Sequence, residues 1–226
     1  MSQVNNNKFK LAVFDWNGTL FDDEKAVIAG DNAQREVFGL ATVSIDTFRQ
    51  QYQIPINKFY EEIGVSSEDF SQNSEAAAKA FHEVYEPIAN TCDLRPGALN
   101  LLNYLKEQNI ACIILSNHTY DRINFQLKRL CISGYFETIL ANEDMHSNHF
   151  IGKGGRLKSY LEETGQDPSQ AFIVGDTKEE TEIGKELGLM SLSITGGYSS
   201  EDRLRAAKPN VLIHNLADIV DKIKEL

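Results

Sequence analysis

Six short apolar runs constrain the fold of this chain most: Leu11 to Phe14, Ile110 to Leu115, Phe136 to Leu140, Ala171 to Val174, Met190 to Ile194 and Val211 to Ile213. From Ala98 onward they alternate with stretches whose apolar residues recur at helical spacing. Runs this short, bounded by polar and glycine-containing segments, suit buried strands, and strands alternating with helices build a parallel sheet covered on both faces. The expected fold class is α/β, a doubly wound, mainly parallel, Rossmann-like sheet. Leu99, Leu101, Leu102 and Leu105 give one covering helix its apolar stripe after Arg95-Pro96-Gly97. Leu216, Ile219, Val220 and Ile223 do the same near the C-terminus.

Between Asp22 and Thr91 the strand-like runs vanish, and helical patterns follow one another with breaks near Gly39, Ile54-Pro55 and Gly64 to Ser67. This predicts a helical domain over residues 22–91, inserted into a core formed by 1–21 and 92–226. Its last helix is expected to start at a Ser74 cap and to bury Ala77, Phe81, Val84, Tyr85 and Ile88. Pro87 should end or bend that helix, and Ser66 to Ser74 reads as a connecting loop.

A net charge of −11 argues against a general nucleic-acid binder, whose affinity comes from basic residues neutralising phosphates. No apolar run approaches the ~20 residues of a membrane helix. Met1 to Lys10 lacks the apolar centre of a signal peptide, so a cytoplasmic protein with no membrane partner is expected. Cys92, Cys112 and Cys131 are widely spaced within apolar or helical patterns and read as reduced core residues. The sequence leaves oligomeric state open.

The chemistry gathers where strands end. Val13-Phe14 runs into Asp15-Trp16-Asn17-Gly18, delivering a carboxylate to the C-terminal edge of the first strand, where open α/β sheets hold ligands. A second strand ends in Ser116-Asn117, followed by His118, and a fourth in Gly175-Asp176, with Glu179, Glu180 and Glu182 behind it. Between them Gly152-Lys153-Gly154-Gly155 offers a cation in a flexible loop. Two acids, a hydroxyl, a lysine and open backbone amides suit a phosphoryl group and a hard cation.

These four motifs, in this order, resemble those of the haloacid dehalogenase superfamily, in its phosphoglycolate phosphatase-like branch, over nearly the whole chain. The resemblance implies a Mg²⁺-dependent hydrolase of small phosphorylated metabolites, with residues 22–91 as an α-helical cap. It implies Asp15 as nucleophile, forming an aspartyl-phosphate, and Mg²⁺ held by Asp15, Asp176 and the backbone carbonyl of Asn17. Glu180 would be a ligand or an acceptor behind the ligands. Ser116, Asn117 and Lys153 would stabilise the phosphoryl oxygens, and His118 at the rim would touch substrate or relay a proton.

Asn17 departs from the superfamily's phosphatases, which usually carry an acid there to protonate the leaving oxygen. An amide has no such proton, and general acid–base catalysis is typically worth ~10²–10⁴-fold. The departure points to good leaving groups or a borrowed acid, to deamidation at Asn17-Gly18, or to an engineered codon. It also keeps open a phosphonate or other non-phosphatase hydrolase, and a phosphate-binding regulatory protein with weakened turnover.

Other polar groups read as scaffold or surface. Lys158 competes with Lys153, and Glu179 and Glu182 suit a solvated helix start. Asp144, His146 and His149 read as a polar loop, and Trp16 as packing at the mouth of the site. Lys25, Arg35, Arg49 and Lys58 are candidates to meet an anionic substrate tail.

Overall fold

The computed structural model describes residues 8–143 and 152–225. The Asp144, His146 and His149 reading lies outside them. Six strands form one all-parallel sheet: β1 (Leu11–Phe14), β2 (Ala111–Thr119), β3 (Thr138–Asn142), β4 (Ala171–Gly175), β5 (Met190–Ile194) and β6 (Val211–Ile213). Their order is β3-β2-β1-β4-β5-β6, so the chain leaves β1 toward one edge and returns beside it to build the other. That reversal makes a crevice outside the C-terminal ends of β1 and β4.

Successive strand residues feed opposite faces because side chains alternate along a strand. Ala12, Phe14, Cys112, Ile114, Phe172 and Val174 enter one core. It is covered by α5 (Ala98–Glu107), α6 (Tyr120–Arg129) and α10 (Asp218–Lys224). Leu11, Val13, Ile113, Leu115, Ala171 and Ile173 enter the other, under α7 (Lys153–Thr164) and α8 (Lys178–Leu187). The remaining core helix, α9 (Glu201–Ala207), follows β5. Leu99 departs from the expected stripe: it is 46% exposed, while Leu101, Leu102 and Leu105 are buried.

Four helices separate β1 from α5: α1 (Glu24–Val37), α2 (Ile45–Gln51), α3 (Ile56–Glu62) and α4 (Ser67–Ala89). The expected breaks fall between them, but α4 begins at a Ser66 cap, well before Ser74. Ser66 Oγ accepts from the Asp69 amide at 3.0 Å, and Phe70 stacks on Phe38 with ring centroids 5.8 Å apart. The stretch expected to be a loop is therefore the polar first half of a long helix with a capping serine and an aromatic anchor. Pro87 sits within α4, which continues to Ala89; having no N–H it forgoes a single i→i−4 bond, and the Asn90 amide still reaches the Glu86 carbonyl. All three cysteines are free thiols, but only Cys112 is buried and Cys131 is exposed. No helix of the described residues is long and apolar enough to cross a membrane.

Candidate active site

Register places the site. Phe14 pairs with Ile114 on β2 and Val174 on β4, so Asp15 emerges level with Leu115 and Gly175 at the crevice. Ser116 and Asp176 follow one residue further along their strands. Asp15 and Asp176 are both buried, as are Ser116, Lys153 and Glu180. Lys153 lies at the first turn of α7, not in a loop, and Gly154 and Gly155 are helical. Its Nζ stands 2.8 Å from Asp15 Oδ1 and 2.5 Å from Glu180 Oε1. Lys158 is exposed on the same helix and pairs with Glu162.

Glu180 is fixed twice. Its Oε2 accepts from the Thr177 amide and hydroxyl in a capping box at the start of α8, while Oε1 takes Lys153. The side chain lies across Gly175, where a Cβ would stand 2.1 Å from Glu180 Cγ. Asp176 is held similarly: Thr19 Oγ1 donates to Oδ1 at 2.9 Å and the Tyr198 amide to Oδ2 at 2.5 Å. Gly18, at φ +68, leaves room for that carboxylate, since a Cβ there would meet Asp176 Oδ2 at 2.5 Å.

On the β2 side, Ser116 Oγ accepts the His118 amide at 3.1 Å. Asn117 Nδ2 donates to Glu179 Oε2 at 2.8 Å, and Glu179 stands 4.0 Å from Lys153. Glu179, expected on a solvated helix face, thus belongs to the site's charge cluster. His118 Nδ1 accepts the Thr119 amide at 2.8 Å, which leaves the neutral ring's proton on Nε2. That nitrogen is buried without a hydrogen-bond partner among the described residues, and burial lowers the imidazole pKa to about 4. His118 is a neutral N–H donor at pH 7. Trp16 is fully buried, stacked on Phe21 with its indole N–H on Gln126, and lies inside the core.

Asn17 is locked by groups the sequence did not single out. Its Nδ2 donates to Asp23 Oδ2 at 2.8 Å and to Tyr85 Oη at 2.7 Å. Tyr85 and Tyr198 hydroxyls each donate to the same Asp23 oxygen at 2.6 Å, and the Gly18 amide donates to Oδ1 at 2.9 Å. Asp23 follows the first motif closely in sequence, but Tyr85 and Tyr198 arrive from α4 and from the loop after β5. Only folding reveals their convergence.

The crevice opens into a cavity of about 300 Å³ lined on one side by Asp15, Asn17, Ser116, Asn117, His118 and Lys153. The facing wall comes from α1–α4 and the links between them, with Val27, Phe48, Ile54 and Phe81 among its residues. Burial raises the Asp15 pKa; Lys153 opposes that shift, while Glu180 and Asp176 add to it. Asp176 is pushed up to about 6, by burial and then by Glu180. For Lys153, burial works against the charge, but Asp15, Glu180 and Glu179 outweigh it and hold the ammonium charged. Several carboxylates thus crowd one lysine.

A family model for haloacid dehalogenase-like hydrolases matches residues 12–194. The chain belongs to the haloacid dehalogenase-like hydrolases. Similar relatives in this family include phosphoglycolate phosphatase from Synechococcus elongatus, 23% identical over 95% of this chain and 97% of that protein. Another is phosphoglycolate phosphatase 1 from Pseudomonas aeruginosa, 22% identical over 93% of this chain and 78% of that protein. Among solved structures, a haloacid dehalogenase-like family hydrolase from Streptococcus pneumoniae superposes with a TM-score of 0.79 at 21% identity. It covers 95% of this chain and 98% of its own.

For a haloacid dehalogenase-like hydrolase the donor set fits a hard cation. Asp15 and Asp176 present carboxylates whose raised pKa values record burial and the neighbouring Glu180 charge, the condition a divalent ion relieves. Among the described residues no three His, Cys, Asp or Glu side chains form a metal cluster. Two carboxylates with a backbone carbonyl and waters would still suit Mg²⁺. Glu180, with both oxygens bonded to Lys153 and Thr177, is placed to hold the lysine.

Proposed function

We propose that the protein is a Mg²⁺-dependent hydrolase of small phosphorylated metabolites that acts through an aspartyl-phosphate at Asp15. The observation that carries this reading is the 2.8 Å pairing of Asp15 with Lys153 in a crevice shared with Asp176, Ser116 and Asn117. A free Asp15 oxygen attacks phosphorus in line, forming the new O–P bond as the bond to the leaving oxygen breaks. Water then attacks the aspartyl-phosphate, releasing phosphate and restoring the carboxylate. Ser116, Asn117 and the Lys153 ammonium donate to the phosphoryl oxygens, and His118 Nε2–H adds a neutral donor at the rim.

Asp15, Asp176 and the backbone carbonyl of Asn17 would hold Mg²⁺, with Glu180 orienting Lys153. The ion would supply charge neutralisation at the phosphoryl oxygens. Residues 22–91 serve as the cap and 1–21 with 92–226 as the core, since α1–α4 supply the wall facing Asp15. Two relatives are named phosphoglycolate phosphatases, which supports a phosphate-ester substrate here. The free thiols suit a cytoplasmic setting.

A panel of phosphate esters and acyl phosphates with Mg²⁺ tests the reading on the parent and on Asp15→Asn. The variant should keep its circular dichroism spectrum and lose turnover by at least roughly 10⁴-fold. Chelation should abolish parental turnover and added Mg²⁺ restore it. Turnover that survives in Asp15→Asn refutes the nucleophile assignment.

A further inference from the structure

Resting on the hydrolase reading, we infer the chemistry of the leaving group: an uncharged, largely apolar body attached through a weakly basic, phenol- or enol-type oxygen. The substrates are aryl or enol phosphates rather than esters with an anionic tail. Two independent observations carry this.

The first is the wall facing Asp15. Val27, Phe48, Ile54, Ile56, Ala78 and Phe81 line it, and each methylene buried there is worth roughly four-fold in affinity. The cap's arginines are committed elsewhere. Arg35 is buried against Asp31 at 2.6 Å and bonds Gln51 at 2.8 Å. Arg49 grips the Gly196 and Gly197 carbonyls and Glu24. Lys58 pairs with Glu61 on the surface, and Lys25 is exposed and does not line the cavity. The ionisable cap residues that do line it are paired: Asp31 with Arg35, and His82 with Glu86 at 3.4 Å. A substrate carboxylate would meet mostly hydrocarbon and, among the described residues, no unpaired lysine or arginine on this wall, an environment that penalises a buried anion.

The second is where the protons near Asn17 point. Asn17 Nδ2 and the Tyr85 and Tyr198 hydroxyls all donate to Asp23 Oδ2. Asn17 therefore has only an acceptor, Oδ1, to offer a reacting group. It can orient an attacking water but cannot protonate a departing oxygen. When the O–P bond breaks, the electron pair stays on the leaving oxygen, which must be stable as an anion or take its proton from solvent. Phenolates and enolates meet that demand; alkoxides do not.

Measuring kcat/KM with Mg²⁺ for phenyl phosphate, n-hexyl phosphate, ethyl phosphate and phosphoglycolate separates the two arguments. Phenyl phosphate should exceed phosphoglycolate by at least roughly 100-fold. Hexyl phosphate should exceed ethyl phosphate and phosphoglycolate by at least roughly 10-fold. Asn17→Asp should narrow the phenyl-to-hexyl ratio by about 10-fold or more while leaving the hexyl-to-phosphoglycolate ratio in place. Ala78→Arg should raise phosphoglycolate relative to hexyl phosphate. Calorimetry with the non-hydrolysable benzylphosphonate and phosphonoacetate reads tail preference without turnover, and benzylphosphonate should bind at least roughly 10-fold tighter.

Phosphoglycolate turned over as well as phenyl phosphate, or phosphonoacetate bound as tightly as benzylphosphonate, overturns the proposal and leaves the hydrolase reading standing. Esters hydrolysed equally by the parent and Asp15→Asn, or by neither, overturn the hydrolase reading instead. In that case calorimetry alone decides the tail preference.

Discussion

Four donors converge on the buried carboxylate of Asp23: two tyrosine hydroxyls, the Asn17 amide and the Gly18 backbone N–H. Burial raises its pKa, and all four bonds pull the other way. Asp23→Ala would strand buried donors, and each unsatisfied group costs about 1–3 kcal/mol. Urea unfolding should show a loss of at least that size, with Asn17 free to rotate. His118 offers a pH test. Its pKa falls from 6.5 to about 4 because burial favours the neutral ring, so the unfolded chain takes up a proton in that window that the folded chain refuses. Its contribution to stability is whole above pH 6.5 and is lost as pH falls toward 4, by up to roughly 3 kcal/mol. Unfolding free energies of the parent and His118→Gln, compared at pH 5 and pH 7, should show a smaller acid loss in the variant.

At the scale of elements, Gly175 and Ser66 are exposed to single-atom tests. A methyl at Gly175 would collide with Glu180 and push it off Lys153. Gly175→Ala should cost about 1–3 kcal/mol in denaturant unfolding and lower kcat more than it raises KM. Ser66→Ala should cost about 1 kcal/mol and speed hydrogen exchange only in the first turn of α4. These two positions also mark what was legible in the sequence. The centres of the six strands were, because parallel strands buried on both faces read as unbroken apolar runs. Their polar ends were not: β2 continues through Ser116 to Thr119, where Asn142 Nδ2 and Arg156 bind the Asn117 and Ser116 carbonyls. The start of α4 was hidden for a related reason, since its exposed first turns carry few apolar residues to set a period. Asp15, Ser116, Lys153 and Asp176 showed in the sequence as polar residues placed directly after apolar runs or within glycines. Asp23, Tyr85 and Tyr198 did not, because their partnership spans the chain.

Across the whole molecule, one seam joins α2 to the loop after β5 and to α9. Arg49 binds the Gly196 and Gly197 carbonyls, its own carbonyl accepts the Ser200 amide at 3.0 Å, and Arg203 binds the Gln50 carbonyl. Phe48 and Tyr52 pack edge-on against Tyr198, with centroids 5.9 and 5.4 Å away. Arg49→Ala removes the bonds to two core carbonyls and should speed limited proteolysis around Gln51 to Ile56. It should also raise KM severalfold while the unfolding midpoint moves little. Tyr198 belongs to this seam through its ring and to the site through its amide on Asp176. Linkage runs both ways through such a residue. An occupant of the crevice that draws Asp176 away from the Tyr198 amide weakens the docking of α2, and by the same free energy docked α2 opposes that occupant. Through Tyr198, loading of the crevice and opening of the seam would be two readings of a single equilibrium.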